Sequence, residues 1–159
     1  MSDSEVIATL AGVPDRLRAI IAMLGPKGLV WSPAADAWSA RALIDHIMAS
    51  DRVLVPRILL ILTRPDAPLT MIDERLLAMV ITRAKLSIAV QLRRYATGRT
   101  ELIGILRSLT SDEWETVGLH EKAGPMSIRT IARHTAVHEV EHIAQLEQMT
   151  TAFRHARQA

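Results

Sequence analysis

The sequence contains no cysteine. Disulfide scaffolds, thiolate zinc sites, iron–sulfur clusters and cysteine nucleophiles are therefore excluded. Aromatic residues are nearly as scarce: three tryptophans, one tyrosine and one phenylalanine among 159 residues. The core must then be built from Leu, Ile, Val, Ala and Met, a mixture that suits packed helices better than sheets. No block of like charges occurs and the net charge is only +2, so the electrostatic footprint of a nucleic-acid binder is missing. There is no glycine-rich phosphate loop, and no serine sits in a nucleophile motif with paired His and acid. The longest apolar stretch, residues 53–62, is interrupted by Pro56 and Arg57 and is too short to span a bilayer. The first residues include Asp3 and Glu5 rather than a basic region followed by an apolar one. No signal peptide or membrane association is expected on that ground, and the expected location is cytoplasmic.

What the chain does have is helical periodicity. Apolar residues make up 49% of it, and its length suffices for one domain with one buried core. That domain is expected over residues 1–152, followed by a basic tail, 153–159. Val6, Leu10, Val13, Leu17, Ile20, Ile21 and Leu24 recur at helical spacing, and Gly25-Pro26 stops the run. Ser39 caps a second helix carrying Leu43, His46, Ile47, Val53 and Leu54, which Pro56 should kink or interrupt. Arg64-Pro65-Asp66-Ala67-Pro68 is a break. A third helical region runs from Asp73 to about Leu109 and is weakened at Ala96-Thr97-Gly98. Ser111-Asp112-Glu113-Trp114 reads as a capped short helical turn and Gly118 to Pro125 as a loop. Ser127 then caps a final helix that ends near Thr151. No strand alternation competes with these elements. The expected fold is all-α, an antiparallel four-helix bundle with a short extra helical turn. A mean hydropathy of +0.17 is high for a small monomer and points to an apolar face buried in a homodimer.

The chemistry concentrates in histidines. His138-Glu139-Val140-Glu141-His142 places two imidazoles one helical turn apart, and His46 lies upstream in Leu43-Ile44-Asp45-His46-Ile47. At about 100° per residue, His134, His138, Glu141, His142 and Gln145 share an arc of roughly 100°. Ile128, Ile131, Ile143 and Leu146 fill the adjoining arc, so a plain amphipathic surface helix is the alternative reading. His46 falls on or beside the buried face of its own helix. A buried imidazole needs partners for both nitrogens, and a metal or a backbone carbonyl supplies one. One inward His on the second helix and an i, i+4 pair on the last match what a three-His metal site in a bundle requires. Three neutral imidazoles leave a bound dication its full charge, with further positions open to water or substrate. Such ligation suits zinc or nickel, with iron, copper or manganese as further candidates, over magnesium or calcium.

Around this constellation Glu141 is a candidate partner for an imidazole N–H or a general base, its alternative being a solvated surface glutamate. Asp45 points about 100° away from His46. His134 would extend the site by one turn or mark its rim. His120 reaches it only where its loop folds over the bundle, and His155 belongs to the tail. Trp38 reads as a hydrophobic staple before the Ser39 cap, Trp114 as a lid on the bundle end and the methionines as core filler.

Trp38-Ser39 with Leu43-Ile44-Asp45-His46-Ile47, residues 99–109 and Trp114 form the first part of an ordered set. Gly118-Leu119-His120, Gly124-Pro125-Met126-Ser127 and residues 138–146 complete it. In order and spacing the set resembles the DinB superfamily, which includes YfiT-like metal-dependent hydrolases and bacillithiol- and mycothiol-dependent transferases. The resemblance covers about residues 31–149. It implies a four-helix bundle, frequently a homodimer, with a metal held by His46, His138 and His142. It also implies a small-molecule substrate and, in some members, a low-molecular-weight thiol whose sulfur the metal activates. The expected function is a divalent-metal-dependent enzyme, either a small-thiol transferase or a hydrolase. The alternative is a non-catalytic helical dimer of stress-response or binding type in which the metal is structural or absent.

Overall fold

The computed structural model describes residues 1–83 and 86–157. Helix α1 spans Asp3–Leu29, and its start is a capping box. The Ser2 hydroxyl accepts from the Glu5 N–H while the Glu5 carboxylate accepts from the Ser2 N–H, satisfying two orphan donors at once. Its buried stripe is Val6, Leu10, Val13, Leu17, Ile20 and Leu24. Gly25 leaves the helical conformation (φ 58°, ψ −177°), so the expected stop is a break, after which Pro26 opens one further turn. Helix α2, Ala40–Thr63, starts at the Ser39 cap, whose hydroxyl accepts from the Ala42 N–H. Pro56 does not interrupt it. Arg52 and Pro56 both lie on the exposed side, so the carbonyl that loses its N–H partner there can be hydrated.

The third helical region is two helices, but the division is not at Gly98. Helix α3, Glu74–Arg83, packs on α2, and α4, Ile88–Ser108, begins at a Ser87 cap. Gly98 lies inside α4, where a single glycine is tolerated. Residues 84 and 85 of the expected continuous region lie outside the described residues. Helix α5, Ser111–Glu115, is capped by Thr110 rather than Ser111, in a second capping box with Glu113. Trp114 closes the end of the bundle core, at 4% exposure.

The expectation of no strands is corrected. Pro68–Leu69 (β1) pairs in parallel with Val117–His120 (β2), which pairs antiparallel with Gly124–Ser127 (β3). The stretch read as a loop is therefore a hairpin. Gly124 takes φ 72° where the chain returns, and a Cβ on Gly118 would stand 2.9 Å from Ile61 and Leu69 side-chain atoms. Those two glycines let the hairpin turn tightly and lie directly on α2.

Helix α6, Ile128–Ala156, starts at the Ser127 cap and runs past the expected end. Phe153 is 6% exposed and meets Trp31 at 5.8 Å between ring centroids, so the first residue of the expected tail packs into the core, while residues 154–156 continue the helix with exposed side chains. Residues 158 and 159 of that expected tail lie outside the described residues. Helices α1, α2, α4 and α6 form the bundle around two apolar clusters, one near Trp31 and Trp38 and one near Trp114. No helix among the described residues is long and apolar enough to cross a membrane.

Candidate metal centre

Two neighbouring helices supply three imidazoles. His46 comes from α2, within a span buried from Leu43 to Asp51, while His138 and His142 rise from one face of α6. The His138 Nε2 atom lies 3.1 Å from His46 Nε2 and 3.0 Å from His142 Nε2. One ligand atom of each lies within 4.8 Å of the others. The rings stand nearly at right angles, at 69°, 88° and 89° to one another, so edges rather than faces converge.

This arrangement fits a cation. The His142 Nδ1–H donates to Gln145 Oε1 at 3.2 Å, which leaves Nε2 of the neutral ring as a bare lone pair aimed at His138. A single N–H on His138 Nε2 cannot serve two acceptors at full strength, whereas one cation among three lone pairs serves all of them. Nitrogens each about 2.0–2.1 Å from one ion span at most about 4 Å, and the separations of His138 Nε2 from the other two lie inside that limit. Among the described residues no fourth His, Asp or Glu joins the group. Trp38 meets His46 edge-on, with ring centroids 5.2 Å apart, so it packs against a site imidazole.

The supporting residues distribute differently. Glu141 is exposed, makes no hydrogen bond among the described residues and does not join the cluster. Asp45 is buried and pairs with Arg41, whose Nε lies 2.9 Å from both carboxylate oxygens. His134 stacks on His138 at 6.4 Å and is exposed. His120 is carried by the hairpin to a cavity of about 460 Å³ that His134 and His138 also line. The hairpin thus folds against the bundle beside the site. His155 is exposed on the last turn of α6.

Behind the histidines lies a charged network that sequence reasoning missed. Arg99 on α4 is 1% exposed, and its guanidinium donates to Asp51 of α2 at 2.6 and 3.1 Å. It also donates to Glu139 of α6 at 2.6 and 2.9 Å and to the Leu10 carbonyl of α1 at 2.8 Å. The Tyr95 hydroxyl accepts from Arg99 and donates to Glu139. One guanidinium therefore joins all four bundle helices, and one of its partners, Glu139, is next to His138 in sequence. Burial pushes the Asp51 and Glu139 carboxyls above the usual carboxylate range, against the opposing pull of Arg99. Burial also pushes the Tyr95 phenol well above its usual range, with the Glu139 charge adding to it, so the hydroxyl keeps its proton. Burial alone would lower Arg99, but the hydrogen bonds and charge of Glu139 outweigh it and hold the guanidinium firmly protonated. The signal was present in the sequence: Glu139 follows Ala132 and Ala136 and precedes Ile143 and Leu146 on one helical stripe.

Residues 9–146 match the family model of the DinB superfamily. Among solved structures, the chain is similar to YfiT from Bacillus subtilis, described as a probable metal-dependent hydrolase with an unusual four-helix bundle topology. That likeness has a TM-score of 0.85 at 17% identity and covers 95% of this chain and 87% of the other. It is also similar to YjoA, a DinB-like protein from Bacillus subtilis, with TM-score 0.60 at 15% identity, covering 94% and 91% of the two chains. No curated protein matches the sequence significantly.

Proposed function

The chain belongs to the DinB superfamily, and from that premise we propose that it is a divalent-metal-dependent enzyme whose metal is held by His46, His138 and His142. The observation that carries this reading is the convergence of three Nε2 atoms without a fourth protein ligand among the described residues, one of the three rings, His138, also lining a cavity of about 460 Å³. Three protein ligands beside a cavity are the pattern of a catalytic centre, whereas a structural zinc site is closed by four. A bound zinc or nickel ion would supply Lewis-acid polarisation and a lowered pKa for a coordinated water or thiol. The reaction is hydrolysis, or a transfer in which the sulfur of a small thiol bonds to an electrophile and the thiol proton is released.

The chain's own residues prepare this chemistry. Gln145 selects the His142 tautomer with its lone pair on Nε2, and Trp38 restrains the His46 ring. Arg99 fixes α2 and α6 against each other through Asp51 and Glu139, so the separation of the ligand-bearing helices is set before any ligand arrives.

Elemental analysis of protein purified without a histidine tag tests the centre. Near-stoichiometric metal in wild type, lost in His46→Ala and in His142→Ala, is the expected result. Unchanged stoichiometry in both variants, or no uptake after reconstitution with zinc, nickel, manganese or iron, would refute it. A loaded protein is then assayed with ester and amide panels and with thiol–electrophile pairs. Turnover that disappears on chelation is expected in one of the two.

A further inference from the structure

The hairpin that folds against the bundle carries one side chain with a use beyond holding its own turn. His120 closes β2, where its Cα partners are Leu69 of β1 on one side and Gly124 of β3 on the other. The ladder therefore fixes its backbone from both sides. Gly124 takes φ 72° where β3 begins, so the chain reverses within residues 121–123. His120 Nδ1 accepts from the backbone N–H groups of Lys122 and Ala123 in that turn, each at 3.2 Å. One side-chain nitrogen thus satisfies two backbone donors.

That contact fixes the tautomer. A ring nitrogen that accepts carries no proton, so the neutral imidazole bears its hydrogen on Nε2. His120 makes no further hydrogen bond among the described residues, which leaves this N–H as a donor held ready by the hairpin. The same residue lines the cavity of about 460 Å³ that His138 also lines. A cavity of that size takes one small molecule, so a ligand that fills it meets His138 and His120 together. Other polar groups on its wall spend protons locally. The Thr135 hydroxyl donates to the Ile131 carbonyl and the Ser50 hydroxyl to the His46 carbonyl. His134 also lines the cavity, but among the described residues no hydrogen bond fixes which of its nitrogens is protonated.

We infer that His120 is a catalytic hydrogen-bond donor whose Nε2–H donates to an oxygen of the substrate while the reacting group of the same molecule lies at His138. The substrate class this selects is a small molecule with a carbonyl-type oxygen and an apolar flank, the flank resting on Leu54, Leu69 and Met126. A donor fixed before the substrate arrives stabilises negative charge that develops on that oxygen without first having to reorient. The substrate's pose rests on the proposed metal centre, whereas the tautomer and its cause lie wholly in the hairpin.

Asparagine and glutamine separate this role from turn capping. Asparagine sets its amide near the position of Nδ1 and keeps an acceptor for the turn. Glutamine reaches the position of Nε2 and keeps a donor for the cavity. The full chain, zinc-loaded, is titrated by calorimetry with benzohydroxamate, which offers oxygens, and with benzenethiol, which offers none. His120→Asn is expected to weaken benzohydroxamate roughly five- to tenfold, the worth of one hydrogen bond, with benzenethiol affinity, zinc content and melting temperature unchanged. His120→Gln should recover part of that loss. Long-range proton–nitrogen correlation spectra of zinc-free, histidine-labelled wild type at alkaline pH should show the Nε2–H tautomer for the ring whose signals vanish in His120→Asn. An Nδ1–H tautomer, no binding of benzohydroxamate, an undiminished affinity in His120→Asn or an equal loss for both probes overturns the proposal. So does tolerance of asparagine with loss in glutamine, the pattern of a turn cap alone. Zinc content of the same samples separates the two readings. Zinc uptake with any of these results sinks only the role of His120, whereas no uptake sinks the metal centre and the substrate's pose with it.

Discussion

Replacing Arg99 by methionine tests whether the buried network holds the bundle together as a set of charges. Methionine retains much of the apolar stem, so the main loss is the guanidinium and its donors. Glu139 is completely buried and Asp51 is 9% exposed, and both would be left without their cation in a low-dielectric interior. Removing one partner of a buried ion pair costs about 3–5 kcal/mol. For a chain of this size that corresponds to a fall in melting temperature of roughly 10–15 °C. The pH dependence identifies the cause. Asp51 already has a raised pKa in the folded protein, chiefly through burial, and Arg99 is what pulls it down. Without Arg99 it rises further. A carboxyl whose folded pKa is raised favours the folded state below its unfolded pKa and loses that advantage as pH rises through the folded value. The destabilisation of Arg99→Met should therefore be largest near neutrality and shrink on acidification. Urea unfolding of both proteins at several pH values measures this directly. A loss below about 1 kcal/mol at neutrality would contradict the charge argument, and so would a loss that does not change with pH.

Gln145→Leu removes the acceptor that fixes the His142 tautomer; about tenfold or greater weakening of zinc affinity, read by chelator competition, is expected with an unchanged melting temperature. Asp3 pairs with Arg129 between the starts of α1 and α6, and that hydrogen bond lowers its pKa from 3.8. The stability it contributes is present above the unfolded pKa and lost as pH falls through the lower folded value, so Asp3→Asn should differ from wild type in unfolding at neutral pH but not in strong acid. We propose a homodimer that packs through α3, where Leu76, Met79 and Val80 are all more than half exposed. Met79→Glu should shift sedimentation toward the monomer, and an unchanged sedimentation profile would remove α3 from the interface.

The bundle was legible because its helices carry long apolar stripes and, at Ser39 and Ser127, hydroxyl caps that accept backbone hydrogen bonds. The three histidines were legible for a related reason: an i, i+4 pair has a fixed geometry, and a third imidazole between Ile44 and Ile47 falls on or beside the buried face of its helix. The hairpin was not. Its strands are only four residues long and contain Gly118, Gly124 and Pro125, so neither alternation nor β-propensity marks them. What creates the strands is tertiary: Gly118 lies flat on Ile61 and Leu69, and β1 supplies the parallel edge. That local silence is why His120 could not be brought to the cavity by pattern alone.

The network was missed for a different reason. Asp51 shares a stripe with Ile44, Ile47, Leu54 and Ile58, and Arg99 shares one with Leu92, Tyr95, Leu102 and Leu106. Glu139 stands in the same position on α6. A charge on an apolar stripe cannot stay unpaired once that stripe is buried. The stripes therefore require that these three charges find partners, and their signs allow one arrangement among themselves, a cation between two acids. Periodicity fixes which side of each helix the charge occupies but not its height along the bundle. That height is set by how the helices pack against one another, which is a tertiary fact. Once the heights match, the pairing that satisfies the core also sets α2 against α6, and the imidazoles those helices carry meet as a consequence.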